Sequence, residues 1–158
     1  MEIEIGALLT EKKLTIACAE SCSGGLLTDR LTNISGSSAY VKGAVVAYAN
    51  EIKINILHVN EETLKNFGAV SSQTAKEMAE NVRKILNTDV GVSITGIAGP
   101  TGGTAEKPVG TVYIGISGPN GDRVQKFIFK GTRTEVKEKA VEAALVLIQV
   151  YLTLDKNF

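Results

Sequence analysis

The sequence predicts an α/β fold: a single-domain three-layer α/β/α sandwich with a mixed, mainly parallel sheet and a late antiparallel hairpin. Three observations carry that reading. Apolar runs of strand length alternate with segments of helical periodicity, which implies parallel crossovers. Pro119-Asn120-Gly121-Asp122 then joins two strand-like segments with no helix between them, which adds antiparallel pairing. No repeat, linker or low-complexity tract divides the 158 residues, a length that fits one domain over 1–158.

Glu2–Lys13 places apolar groups at Ile3, Ile5, Ala7, Leu8 and Leu9 and ends on two lysines, a first helix. Leu14–Ala19 is an apolar strand. Ser23 or Gly24 opens a second helix, Leu26–Ile34, with Leu26, Leu27, Leu31 and Ile34 on one face. Val41–Ala49 has the near-continuous apolar content of a mostly buried strand. Asn50-Glu51 starts a helical stretch to Leu57, and Asn60 caps a short helix through Phe67 that Gly68 stops. Ser71–Leu86 has the clearest helical pattern, with Ser72 as cap and Ala75, Met78, Ala79, Val82, Ile85 and Leu86 inward. Val90–Thr95 and Val109–Ser117 are strands, and Arg123–Phe129 alternates as the partner of the second. Thr132 or Arg133 begins a final helix to about Leu152.

Composition narrows the function. The chain is 44% hydrophobic and 22% charged, which is globular rather than disordered. Basic and acidic residues balance at 17 each, which gives no electrostatic case for direct nucleic-acid or membrane binding. Met1-Glu2-Ile3-Glu4 is acidic and lacks the basic start of a secretory signal. With one His, the two cysteines cannot complete a zinc set, and Cys18 and Cys22 are poorly spaced for a disulfide. Free thiols in a reducing cytosol, and hence a cytoplasmic location, are expected.

Three strand ends carry unusual polar groups: Glu20–Gly25, Tyr48–Lys53 and Thr95–Thr104. Parallel α/β sheets bind ligands at the C-terminal strand edge, so these loops are expected to converge. In the first, Ser21, Cys22 and Ser23 are all candidate nucleophiles, set against the bland reading of a Ser-rich helix cap. Gly99-Pro100-Thr101-Gly102-Gly103-Thr104 fits neither a P-loop nor G-x-G-x-x-G, although Gly102-Gly103-Thr104 can present N–H groups to an anion. His58 stands in an apolar context that predicts a partly buried structural residue, which leaves Lys, Tyr, Glu or Cys for proton transfer. Two lysines compete as base. Lys53 follows the Tyr48–Asn50 strand end, and Lys107 completes the loose pattern Thr104-x-x-Lys107 but precedes Pro108, where the required helix is disfavoured.

At these residues the chain resembles a known family. Ala19-Glu20-Ser21-Cys22-Ser23-Gly24-Gly25, Gly36-Ser37-Ser38-Ala39-Tyr40, and Val46-Ala47-Tyr48-Ala49-Asn50-Glu51-Ile52-Lys53 are similar to blocks of the C-terminal domain of the CinA (competence/damage-inducible) proteins. So are Gly68-Ala69-Val70-Ser71, Ser93-Ile94-Thr95-Gly96-Ile97-Ala98-Gly99-Pro100 and Lys107-Pro108-Val109-Gly110-Thr111-Val112. The resemblance implies the activity of the family's stand-alone form, hydrolysis of nicotinamide mononucleotide to nicotinate mononucleotide and ammonia with no metal or cofactor. It implies a serine–lysine pair that falls on Ser21 and Lys53, so Lys107 becomes second choice. On that basis Tyr48 orients Lys53 or relays a proton, N–H groups near Ser23, Gly24 and Gly25 stabilise the oxyanion, and Ser23 and Asn50 contact substrate. Gly99 belongs to the substrate loop, while Gly102, Gly103, Thr104 and Arg133 are the expected phosphate donors. Cys22 packs behind the serine, and Glu20 hydrogen-bonds the loop. The implied partners are the nucleotide and further copies of the chain. The competing expectation is a nucleotide-binding or regulatory module without turnover.

Overall fold

Strand β1 (Ile16–Glu20) is buried at every position, and the sheet is built outward from it. The computed structural model describes residues 1–154, so the expected domain end at 158 lies outside the described residues. On one side β1 pairs parallel with β2 (Val41–Val46), and on the other parallel with β3 (Val90–Gly96). β4 (Thr111–Ser117) runs antiparallel to β3, and β5 (Arg123–Ile128) antiparallel to β4, so the order is β2-β1-β3-β4-β5. Four of the five strands therefore point the same way.

Period-two alternation along β1 and β3 divides the core into two layers. Ile16, Cys18, Val90, Val92 and Ile94 pack with α1 (Glu2–Lys12), α2 (Leu26–Thr32) and α6 (Arg133–Thr153) through Ile5, Leu9, Leu27, Leu31, Ala144 and Ile148. Ala17 and Ala19 face the opposite layer, with Ala47, Leu57, Met78 and Val82. That layer holds α3 (Asn50–Asn55), α4 (Glu61–Phe67) and α5 (Ser72–Ile85). The α/β/α sandwich thus follows from strands that are apolar on both faces.

Helix α5 lies against the sheet because the strand residues beneath it are small. A Cβ on Gly91 would sit 2.1 Å from the Ala79 carbonyl oxygen, and one on Gly115 would sit 2.7 Å from that of Ala75. Between them, Ser93 Oγ donates to the Ala75 carbonyl at 2.6 Å. Gly91→Ala is expected to lower unfolding free energy by about 1–3 kcal/mol, since the overlap forces helix and strand apart. Urea unfolding measures this, and an unchanged midpoint contradicts the close approach.

Several local expectations are corrected. Strand β2 ends at Val46 and is half-exposed rather than mostly buried, because it is the sheet edge. Ser71, not Ser72, caps α5 by accepting the Thr74 N–H, and Ile85 is 40% exposed rather than inward. Neither Ser23 nor Gly24 caps α2. Gly25 holds that position in a left-handed conformation, and the Glu20 carboxylate accepts the N–H groups of Leu27 and Thr28. The fourth strand starts at Thr111 rather than Val109. His58 is exposed rather than partly buried, with its carbonyl accepting from Asn81 Nδ2.

Candidate active site

The chain leaves β1 toward β2 through α2 on one face, then leaves β2 toward β3 through α3, α4 and α5 on the other. A change of face between neighbouring parallel strands opens a crevice at their C-terminal ends. Ser21 is the first residue past β1 and sits in that crevice. Its N–H donates to the Ile94 carbonyl on β3, and its own carbonyl accepts from Gly24 N, closing a tight turn. Gly24 and Gly25 have φ of 63° and 103°, a left-handed course that other residues rarely adopt. The turn aims Ser21 away from α2 and toward the layer of α3.

Helix α3 begins at Asn50, shortly after β2 ends, and its first turns bring Lys53 back over the end of β1. Lys53 is only 1% exposed. Its Nζ lies 2.9 Å from Ser21 Oγ, 2.8 Å from the Ala47 carbonyl and 3.3 Å from the Tyr48 carbonyl. No carboxylate pairs with it among the described residues. Burial therefore pushes its pKa below the ordinary lysine value.

This geometry decides where a lone pair points. The two carbonyl oxygens can only accept, so a neutral Lys53 amine spends both its N–H groups on Ala47 and Tyr48. Its lone pair then faces Ser21 Oγ. The backbone that holds the lysine is itself tied to β1, since Ala47 N donates to the Glu20 carbonyl at 2.8 Å.

The dyad opens into a cleft of about 310 Å³ lined by Tyr48, Asn50, Gly99, Gly102 and Arg133, together with Ala69, Val70, Thr95 and Ile97. Arg133 at the start of α6 spans its mouth, donating to the Gly99 carbonyl and to Tyr48 Oη, each at 2.7 Å. Both acceptors are neutral and the guanidinium has no ion-pair partner among the described residues. Larger grooves of 500 and 810 Å³ run beside α6, but neither is lined by Ser21 or Lys53.

A family profile described as the CinA C-terminal domain matches residues 1–152. The chain belongs to the CinA C-terminal domain family. It is 52% identical over 152 residues to a CinA-like protein of Sulfurihydrogenibium sp. (strain YO3AOP1), covering 96% of this chain and 38% of that protein. It is 51% identical over 152 residues to a putative competence-damage inducible protein of Thermoanaerobacter sp. (strain X514), covering 96% of this chain and 37% of that one. The chain thus spans well under half the length of these curated relatives. Among solved structures, the competence or damage-inducible protein of Enterobacter asburiae superposes with a TM-score of 0.93 at 34% identity, with 96% of each chain covered. The competence/damage inducible protein CihA of Agrobacterium tumefaciens does so with a TM-score of 0.88 at 39% identity, covering 94% of this chain and 95% of that one.

In this CinA domain the expected site residues divide into three groups. Ser21, Lys53, Tyr48, Asn50, Gly99, Gly102 and Arg133 share one cleft. Ser23, Gly24 and Gly25 line a neighbouring depression instead, because the tight turn carries them round toward α6. Gly103 and Thr104 are not part of the cleft lining. Gly103 packs on Val109, and Thr104 closes a turn with Lys107 in which its N–H reaches the Lys107 carbonyl at 2.8 Å.

The Tyr48 phenol is 62% exposed and bonded to Arg133, so the expected contact with Lys53 is made by the Tyr48 carbonyl and not by its hydroxyl. Lys107 Nζ donates to the Phe67 carbonyl at 2.6 Å, which places it outside the dyad. Burial pushes the Cys22 thiol up to about 11, so Cys22 stays a thiol despite standing next to Ser21. Glu20 is fully buried at the start of α2, where Thr28 Oγ1 also donates to it at 2.6 Å. Ala69 and Val70 were not foreseen as lining. Their signal is the loop after Gly68, which Thr95 Oγ1 pins by donating to the Ala69 carbonyl.

Proposed function

We propose that the cleft is an amidohydrolase site that converts nicotinamide mononucleotide to nicotinate mononucleotide and ammonia. The observation that carries this reading is a buried lysine, unpaired with any carboxylate among the described residues, at hydrogen-bond distance from a serine at a parallel-strand end. A module that only binds nucleotide has no use for a desolvated amine whose lone pair faces a hydroxyl.

In this mechanism neutral Lys53 takes the Ser21 proton as Oγ attacks the carboxamide carbon. The oxyanion is met by N–H groups of the turn. That of Cys22, which lines the cleft beside Ser21, makes no backbone hydrogen bond among the described residues, whereas the N–H of Gly24 is spent on Ser21. One such donor is typically worth about 3–4 kcal/mol of transition-state stabilisation. The lysine ammonium returns its proton to the leaving nitrogen, ammonia departs, and water activated by the again neutral Lys53 hydrolyses the acyl-enzyme. Apolar Ala69, Val70 and Ile97 suit the flat faces of a pyridine ring, and Arg133, without an ion-pair partner among the described residues, suits an anionic substrate.

Incubating the protein with nicotinamide mononucleotide and following nicotinate mononucleotide and ammonia tests the reading. Stoichiometric appearance of both products is expected. Saturable nucleotide binding with no product would turn the assignment to a binding or regulatory module.

A further inference from the structure

Lys107 competes with Lys53 in the sequence, and the dyad leaves it unused. It is half-buried, and no carboxylate pairs with it among the described residues although Glu106 adjoins it. Its Nζ donates instead to the Phe67 carbonyl at 2.6 Å, a contact across 40 residues of sequence. Two bonds fix the backbone that carries it. The Thr104 N–H donates to the Lys107 carbonyl at 2.8 Å, and the Lys107 N–H donates to Thr104 Oγ1 at 3.0 Å. The Thr104-x-x-Lys107 pattern is thus a closed turn that aims a lysine across to another loop.

Both loops joined in this way line the cleft. Phe67 ends α4 and leads into Ala69 and Val70, while Lys107 ends the stretch that supplies Gly99, Thr101 and Gly102. Every carbonyl from Phe67 to Ala69 is held by a side chain. That of Gly68 accepts from Ser71 Oγ at 2.9 Å and Thr74 Oγ1 at 2.7 Å, and that of Ala69 from Thr95 Oγ1 at 2.8 Å. Those donors stand at the start of α5 and on β3, so Lys107 alone comes from the glycine loop.

The glycine loop has little else to hold it. From Gly99 to Lys107, two hydrogen bonds leave the segment among the described residues: Lys107 to Phe67, and Arg133 to the Gly99 carbonyl. Ordering such a stretch costs conformational entropy, and a charge-assisted bond to a carbonyl is one of the stronger ways to offset it. Gly68 makes room for the contact, since a Cβ there would stand 3.4 Å from Lys107 Nζ.

We propose that Lys107 is a positioning residue, a clasp that holds the glycine loop to the 67–70 loop and so preforms the slot for the flat amide ring. The proposal rests on the amidohydrolase reading for the identity of that ring. Without the clasp, substrate must order the loop as it binds, and affinity falls. The dyad is fixed separately by β1 and α3, so the chemical step is largely spared.

The test uses Lys107→Met, which keeps the stem and deletes the donor, and Lys107→Arg, which keeps a donor. With nicotinamide mononucleotide, Lys107→Met is expected to raise KM about tenfold with kcat within about threefold of wild type, and Lys107→Arg to recover most of the loss. A merely structural role would lower the active fraction, and hence kcat, without moving KM, so an unchanged KM overturns the proposal. Amide hydrogen exchange of the ligand-free protein reads the clasp without turnover. Exchange in segments 66–70 and 99–107 is expected to quicken about tenfold in Lys107→Met and to stay near wild type in Lys107→Arg. Equal exchange in all three proteins overturns the clasp. If the wild type releases no product, the amidohydrolase reading fails. Faster exchange in Lys107→Met together with weaker calorimetric binding of the nucleotide then still supports the clasp, and equal or absent binding overturns its positioning role.

Discussion

Ser21→Ala is expected to cut amide turnover by about 10⁴-fold or more while nucleotide binding stays within a few-fold of wild type. The hydroxyl is the only group removed, and Ser21 is 7% exposed, so the substitution leaves the cleft walls in place. Lys53→Met is the companion variant because it keeps the buried stem and deletes the amine. A general base is typically worth about 10²–10⁴-fold, and the larger figure is expected where the base also serves as acid for the leaving nitrogen. Groups that act as a unit are not additive, so the double variant should be hardly slower than the slower single one. Product formation by each variant and calorimetric binding of nicotinamide mononucleotide make the measurement. Full activity in Ser21→Ala would remove the serine from the mechanism, and additive losses would argue against a coupled dyad.

The second large effect is a dependence on pH set by Lys53. Its working form is neutral, and burial holds its pKa below the ordinary lysine value of 10.5. kcat/KM should therefore rise with pH through the depressed pKa of the free enzyme and level off above it. Stability follows the same group with a defined sign. Between the lowered folded value and 10.5 the unfolded chain binds more protons than the folded one, so stability rises with pH across that window. The penalty is fully present below the folded pKa and is gone above the unfolded one. Subtracting the stability profile of Lys53→Met from that of wild type gives this contribution together with its coupling to the neighbouring Cys22 thiol, which burial pushes up to about 11. A flat difference across the window would mean that Lys53 is not desolvated. A missing acid limb in the rate profile would mean that it is not the base.

Much of the fold was legible because its signals are local. The apolar run at Ile16–Ala19, the α5 pattern at Ala75, Met78, Ala79 and Val82, and the turn at Pro119–Asp122 each specify an element within a few residues. Errors fell where a neighbour in space decides. Val46 looks like core in sequence, and it is surface because β2 is the edge of the sheet among the described residues. Ile85 keeps the helical period of α5 yet is 40% exposed at the last position of that helix. Glu20 is expected to hydrogen-bond the loop and does bond its neighbourhood, but only the packing of α2 decides that the donors are the N–H groups of Leu27 and Thr28.

The site divides in the same way. Ser21, Lys53 and the glycine loop could be named from the sequence as polar residues at parallel-strand ends, with the family resemblance to rank them. Which atoms meet could not be named. That Lys53 reaches Ser21 depends on α3 folding back over β1, a contact across 32 residues of sequence. Tyr48 serves the lysine through its carbonyl because the edge strand turns its phenol outward to Arg133. Thr104 leaves the cleft because its turn with Lys107 closes on itself.

The sequence by itself determined the layer architecture, the family and the three loops that supply the chemistry, because these are written in short-range pattern and composition. Tertiary structure alone decided the backbone carbonyls that hold Lys53, the absence of an ion-pair partner for Arg133 among the described residues, and the separation of cleft from depression. The physical reason is that desolvation and hydrogen-bond pairing depend on how distant segments pack, and no local stretch of residues specifies that.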